Sequence, residues 1–92
     1  MVLRFEWHDK KARLNKRKHG IAFEEASSVF GDPLSLTIYD PAHSIAEERF
    51  TTIGASFVGR LVVVVHTDRK GVIRIISARK ATKNETKQYE QS

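Results

Sequence analysis

The chain has 92 residues, too few for two hydrophobic cores of roughly 50 residues each, so a single domain over 1–92 is expected. The absence of cysteine excludes a disulfide framework, a thiolate zinc site and a cysteine nucleophile; charges at Arg4, Glu6, His8 and Asp9 break any signal-peptide core, and no apolar run nears the roughly 20 residues that span a bilayer, so a reducing cytoplasm and no membrane are expected. Hydrophobic residues make up 40% and the net charge is +5, values that fit a folded domain meeting a polyanion, because clustered Lys and Arg displace condensed counterions from phosphates.

In chain order, residues 2–5 read as a short initial strand. Residues 9–19 lack Gly and Pro, are rich in Lys, Arg, Ala and Leu, and read as a helix that Gly20 stops. On a helical wheel Trp7, Lys11, Leu14 and Lys18 share one face, taken to be the core side, while Lys10, Arg13, Lys16 and Arg17 share the other. Phe23, Ala26, Val29 and Phe30 recur at helical spacing and predict a short second helix closed by Gly31-Asp32-Pro33. The period then changes to two: Leu34, Leu36 and Ile38 alternate with Ser35 and Thr37, giving a half-buried strand that turns at Asp40-Pro41. Residues 41–48 are polar and loop-like, and 49–53 form a second strand ending at Gly54. Gly59 opens the next, whose β-branched run 61–65 suits a central position, and 72–76 resembles it across the turn Asp68-Arg69-Lys70-Gly71. Thr82-Lys83-Asn84-Glu85 has capping-box spacing and starts a last helix that has little but Tyr89 to bury. The expected fold is α+β: two N-terminal helices, a four-stranded antiparallel sheet and a C-terminal helix in one domain.

Six residues between Lys10 and Lys18 are Lys or Arg, a row suited to a phosphate backbone, although a solvated face explains the same row. Lys18-His19 is the sharper feature. An imidazole is the side chain best placed to exchange a proton near neutrality, and Asn15, four residues earlier, could steady its ring; a helix-terminal His stabilised by the dipole is the plain alternative. By alternation Arg60, Val62, Val64 and His66 point one way on one strand, and Ile73, Ile75, Ser77 and Arg79 share a face on the next. Arginines at strand ends suit the negative charge that develops in phosphoryl transfer, or simply a surface ion pair. Glu48-Arg49 adds a carboxylate and a cation after the polar loop. His43 and Glu47 are four apart, yet no further pair has ligand spacing, and no nucleotide, dinucleotide or hydrolase-elbow motif is present; neither a metal nor another cofactor is expected.

Phe5-Glu6-Trp7, Lys11, Asn15, Lys18-His19-Gly20-Ile21, Phe23-Glu24-Glu25-Ala26, Val29-Phe30, Asp32-Pro33, Asp40, His43-Ser44, Glu47-Glu48-Arg49-Phe50, Gly54, Gly59-Arg60 and Arg74-Ile75-Ile76-Ser77-Ala78-Arg79-Lys80-Ala81-Thr82 with Glu85 together resemble the BrnT toxin family over nearly the whole chain. The chain departs from that family's frequent pattern at His8, where Asp often follows the Trp, and at Ala22, where Ser or Thr often caps the helix. The resemblance implies a RelE-like fold and a ribonuclease toxin of a type II toxin–antitoxin pair that cuts RNA, thereby stops translation, and is neutralised by a BrnA-type ribbon-helix-helix antitoxin; operator DNA would be met only through that complex. It points to Lys18, His19, Glu48, Arg49 and Arg79 as catalytic positions, and to Arg60 and Tyr89, with Lys11 and Lys80, as RNA-binding ones. The expected chemistry is metal-independent attack of the RNA 2′-OH on the adjacent phosphorus, with His19 as acid or base, Glu48 as alternative base, Arg49 and Arg79 stabilising charge and Lys18 positioning the phosphate. The rival readings are a non-catalytic nucleic-acid-binding module and a corepressor acting with a DNA-binding partner.

Overall fold

Local composition sets the first helix. The segment without Gly or Pro forms α1 (Asp9–His19), and Gly20 ends it in the left-handed region at φ +74°, donating its N–H to Lys16 O at 2.9 Å. Helix α2 (Phe23–Ser28) follows and tightens into a 3-10 turn at Val29–Gly31. The residues before these helices, His8 and Ala22, supply no side-chain cap, in keeping with the departures seen in the sequence. In the computed structural model, which describes residues 2–43 and 47–92, the chain then forms β2 (Leu36–Asp40), β3 (Arg49–Ala55), β4 (Leu61–Arg69), β5 (Val72–Lys80) and α3 (Lys83–Gln91), after an initial β1 (Arg4–Glu6). The segment between His43 and Glu47, which spaces that pair four residues apart, lies outside the described residues.

The sheet corrects the expected four antiparallel strands. It has five, in the order β1-β5-β4-β3-β2, and is mixed: β2 to β5 form the antiparallel meander, and β1 returns to pair parallel with the first residues of β5. Parallel pairing needs a long crossover, which here is everything between β1 and β5, so no local pattern announces it. The β4–β5 turn is tight because Lys70 and Gly71 both adopt positive φ, 51° and 82°, as a two-residue hairpin loop requires.

Helices α1 and α2 cover one face. Ile21, Phe23, Ala26 and Val29 pack there on Val62, Val64, Ile75 and Ala78, all essentially inaccessible. A row of touching rings crosses the same face: Tyr39 on Phe50, Phe50 on His66, His66 on Phe30 and Phe30 on Phe5. The expected common face for Ile73, Ile75, Ser77 and Arg79 does not hold. Val65 pairs with Ser77 but His66 with Ile75, so Ile76 is an extra bulged residue. A bulge reverses the alternation, and Ser77 and Arg79 therefore face away from the helices while Ile73 and Ile75 face them. No helix among the described residues is long and apolar enough to cross a membrane.

Candidate nucleic-acid interface

The site begins where α1 meets an unpaired stretch of β5. Strand β1 pairs only with Val72 to Arg74, which leaves the later edge of β5 without a neighbouring strand. Asn15 fills that place. Its amide accepts from Ala78 N–H at 3.1 Å and donates to Ala78 O and Ile21 O, both at 2.9 Å, so a side chain satisfies backbone groups that an edge would leave bare. Asn15 therefore does not steady His19 as expected. Anchoring it also turns the wheel: α1 faces the sheet with Ala12, Asn15 and His19, while Leu14 is 50% exposed and Lys18 lies outside the core. The result is a cleft of about 210 Å3 in which Lys11, Lys18 and half-buried His19 stand over Ile76 and Ser77.

From Ser77 the cleft opens onto the sheet face opposite α1 and α2. Paired residues share a face, so three rows cross it: Ile53, Val63 and Arg79; Thr51, Val65 and Ser77; Arg49, Thr67 and Arg74. Arg79 follows Ser77 by one alternation, roughly 7 Å along the strand. Its Nη1 and Nη2 donate to the two carboxylate oxygens of Glu85 at 2.7 and 2.8 Å, a bidentate pair that holds the Glu85 carboxyl down at about 2. The Nε edge of the guanidinium stays outside that pair. Helix α3 crosses this end of the face, from its Glu85–Arg79 pair to the bond that Tyr89 O–H donates to Asp32 Oδ2 at 2.6 Å, and Ile53 and Val63 between them are buried. Asp32 also accepts from Ala55 N–H and Leu34 N–H, at 2.8 and 2.9 Å, and these contacts keep its carboxyl below the usual range. At the far end Arg74 stands 3.7 Å from Glu6, and Thr67 Oγ1 between Arg49 and Arg74 is buried without a hydrogen-bond partner among the described residues.

The remaining expected residues lie elsewhere. Arg49 is on the open face, but five strand positions separate Arg74 in its row from Arg79, about 15 Å at strand rise. Glu48, exposed, points to the other side and lines a cavity of about 630 Å3 with Phe50, Asp68 and Lys70. Lys80 is paired beside Val62, on the helix side, and is exposed. Arg60 is tied inward: Nε and Nη2 donate to Glu25 at 2.7 and 2.6 Å, and Nη2 also to Gly20 O at 3.1 Å. Glu25 is 6% exposed, takes a further bond from Ser56, and is held below the ordinary carboxylate range, chiefly by Arg60. The structure thus brings together Lys11, Lys18 and His19 at one cleft, with Ser77 in its wall and Arg79 one alternation further along β5. The sequence offered no signal for Ser77 beyond strand alternation, which the bulge inverts.

His66 carries chemistry that the sequence did not single out. Its Nε2 lies 2.7 Å from Thr52 Oγ1, which lies 2.8 Å from Thr37 Oγ1, and burial pushes its pKa down to about 4. It faces the helices and takes no part in the open face. No three His, Cys, Asp or Glu residues among those described cluster closely enough to hold a metal ion.

A family model described as the ribonuclease toxin BrnT of a type II toxin–antitoxin system matches residues 7–85. Among solved structures, the crystal structure of the Brucella abortus ribonuclease toxin BrnT is similar at a TM-score of 0.64 with 20% sequence identity, over 89% of this chain and 100% of that one. No curated protein matches the chain.

Proposed function

The chain belongs to the BrnT family of ribonuclease toxins of type II toxin–antitoxin systems, and we propose that it is a metal-independent endoribonuclease whose RNA crosses the open sheet face between the end of α1 and α3. The observation that supports this is the cleft itself, where Lys18 and His19 stand beside Ser77 and one strand alternation from Arg79. A general acid or base and a positioning cation then border one small volume, with a permanently charged guanidinium roughly 7 Å further along the strand, an arrangement that suits phosphoryl transfer.

In the proposed reaction the 2′-oxygen loses its proton, attacks the adjacent phosphorus and expels the 5′-oxygen, leaving a 2′,3′-cyclic phosphate and a 5′-hydroxyl. His19 moves the proton, Lys18 positions the phosphate and the outer edge of Arg79 meets the added negative charge. Arg49 binds a phosphate further along the face, with Lys11 at the rim of the cleft. Glu48, on the helix side of the strand, is set apart from this cleft and leaves the proton to His19. Arg60 and Tyr89 act through the inward bonds that hold α2 and α3. Cleavage of RNA stops translation in the cytoplasm, and a BrnA-type antitoxin with a ribbon-helix-helix domain neutralises the toxin and carries it to operator DNA.

The test is incubation of purified protein with RNA in excess chelator. Cutting should persist and yield 2′,3′-cyclic phosphate ends, and His19→Ala should lower kcat by about 10²–10⁴ while the variant melts like the parent. Loss of cutting in chelator, linear 2′- or 3′-phosphates as first products, or a His19→Ala variant with full kcat would reject the mechanism.

A further inference from the structure

Helix α1 has a second cavity on the flank away from the Lys18–His19 cleft. Residues two apart on a helix point nearly opposite ways, about 200° around the axis, so Arg13 and Lys16 lie across the helix from Lys11 and Lys18. With Trp7 and Phe23 behind them they line a space of about 390 Å3, rimmed by Asp9 and Glu24. Trp7 is half-buried and held edge-on against Phe23, with ring centroids 5.9 Å apart and planes at 77°, so an indole is fixed in the wall instead of being swallowed by the core. Arg13 has no ion pair among the described residues despite the nearby carboxylates, and Lys16 donates to Gly20 O at 3.4 Å and feels the Glu25 carboxylate without forming an ion pair with it.

We propose that this cavity is an exosite for one nucleotide of single-stranded RNA, its base stacked on Trp7 and its phosphates held by Arg13 and Lys16. The inference rests on the reading of the chain as an RNA-cutting protein. A fixed aromatic plane beside two cations that no ion pair ties down is what a base with its phosphate needs, and stacking tolerates any base. Asp9 and Glu24 repel phosphate and accept N–H donors, so they turn the base edge, not the backbone, toward the rim. Lys10 and Arg17 lie on the outer ridge of α1 between the two flanks, both exposed, and give the backbone a cationic path from the exosite to the cleft. RNA bound this way is gripped on both sides of α1, with only one side cutting.

Trp7 is the one tryptophan of the chain, so its fluorescence reports on the site directly. The probe is a 2′-O-methyl oligoribonucleotide, which lacks the attacking hydroxyl. Its addition should quench Trp7, and the double variant Arg13→Ala, Lys16→Ala should bind about tenfold more weakly, with a salt slope smaller by about 1.4, two single-strand phosphate contacts. Binding with unchanged fluorescence, or a double variant with the parental affinity and salt slope, overturns the exosite while cleavage of unmodified RNA leaves the ribonuclease reading standing. Quenching by the antitoxin but not by RNA also overturns it. Failure both to bind this probe and to cut any RNA removes the reading beneath it.

Discussion

The two helical ends of the molecule are fastened to the sheet by different forces. At the N-terminal end, α2 and the residues around it bury Ile21, Phe23, Ala26 and Val29 completely against the helix-covered face. At the other end α3 has no buried residue and is held chiefly by two polar tethers, Arg79 to Glu85 and Tyr89 to Asp32. Apolar burial is short-ranged, insensitive to salt and lost only with the whole domain, whereas exposed polar tethers are individually small and respond to pH and ionic strength. The proposed cutting face is bordered by the weakly held end, which leaves its edge adjustable without cost to the core.

Breaking the comparison at its strong end should have the largest effect. Phe23→Ala removes a fully buried ring on which Trp7 also packs and should cost about 3–5 kcal/mol in urea unfolding, a loss that unfolds much of a small domain. If the midpoint moved less than that of a change in α3, the assignment of stability to the covered face would be wrong.

Acid separates the two ends by pH. His66, on the covered face, is neutral in the folded chain because burial lowers its pKa from 6.5 to about 4. The unfolded chain takes up a proton below about 6.5 and the folded chain does not, so stability is complete above that pH and falls by about 1.4 kcal/mol per unit toward 4, about 3 kcal/mol in all. Glu85 is shifted the same way but as an acid. Its carboxylate form is favoured in the fold, so its contribution is present above about 4.5 and is lost as pH falls toward about 2. Mild acid should therefore loosen the core before it releases α3. Urea melts at pH 7, 5.5 and 4.5, compared with His66→Gln, measure the slope; identical slopes in parent and variant would show that His66 does not set it.

At pH 7 the Glu85 tether can be cut alone. Glu85→Gln keeps the shape and the capping position but removes the charge-assisted pair, and Arg79 is 41% exposed, so about 1 kcal/mol is expected, with most of the difference gone in high salt. A loss that persisted unchanged in high salt would place the helix under burial, with α2, instead of under charge.

What the sequence made legible was local. Gly20 fixed the end of α1, and the Thr82–Glu85 spacing announced a capping box that forms in full, because both signals act within four residues. Contacts between distant residues were not readable in this way. Asn15 reaches Ala78 across 63 positions, where helical spacing suggested His19, and Arg60 reaches Glu25 across 35, a partner that no local pattern names. The bulge at Ile76 did most to hide the site. One added residue exchanged the faces of β5, so the cleft partner of Lys18 and His19 could be named only once the register was known.

The finest probe of the comparison is Tyr89→Phe, which keeps the ring and removes only the O–H that reaches Asp32 at 2.6 Å. Asp32 keeps its two backbone donors, Ala55 and Leu34, so no buried acceptor is left bare and the global melt should barely move. The local effect should be larger. A helix of nine residues with nothing buried is marginal on its own, so α3 should open more often once a tether is gone. Hydrogen exchange would show it as a severalfold faster rate at the α3 amides with no change in α2. Equal protection of α2 and α3 in both proteins would mean that α3 opens only with the whole domain, and the division between a buried end and a tethered end would fail.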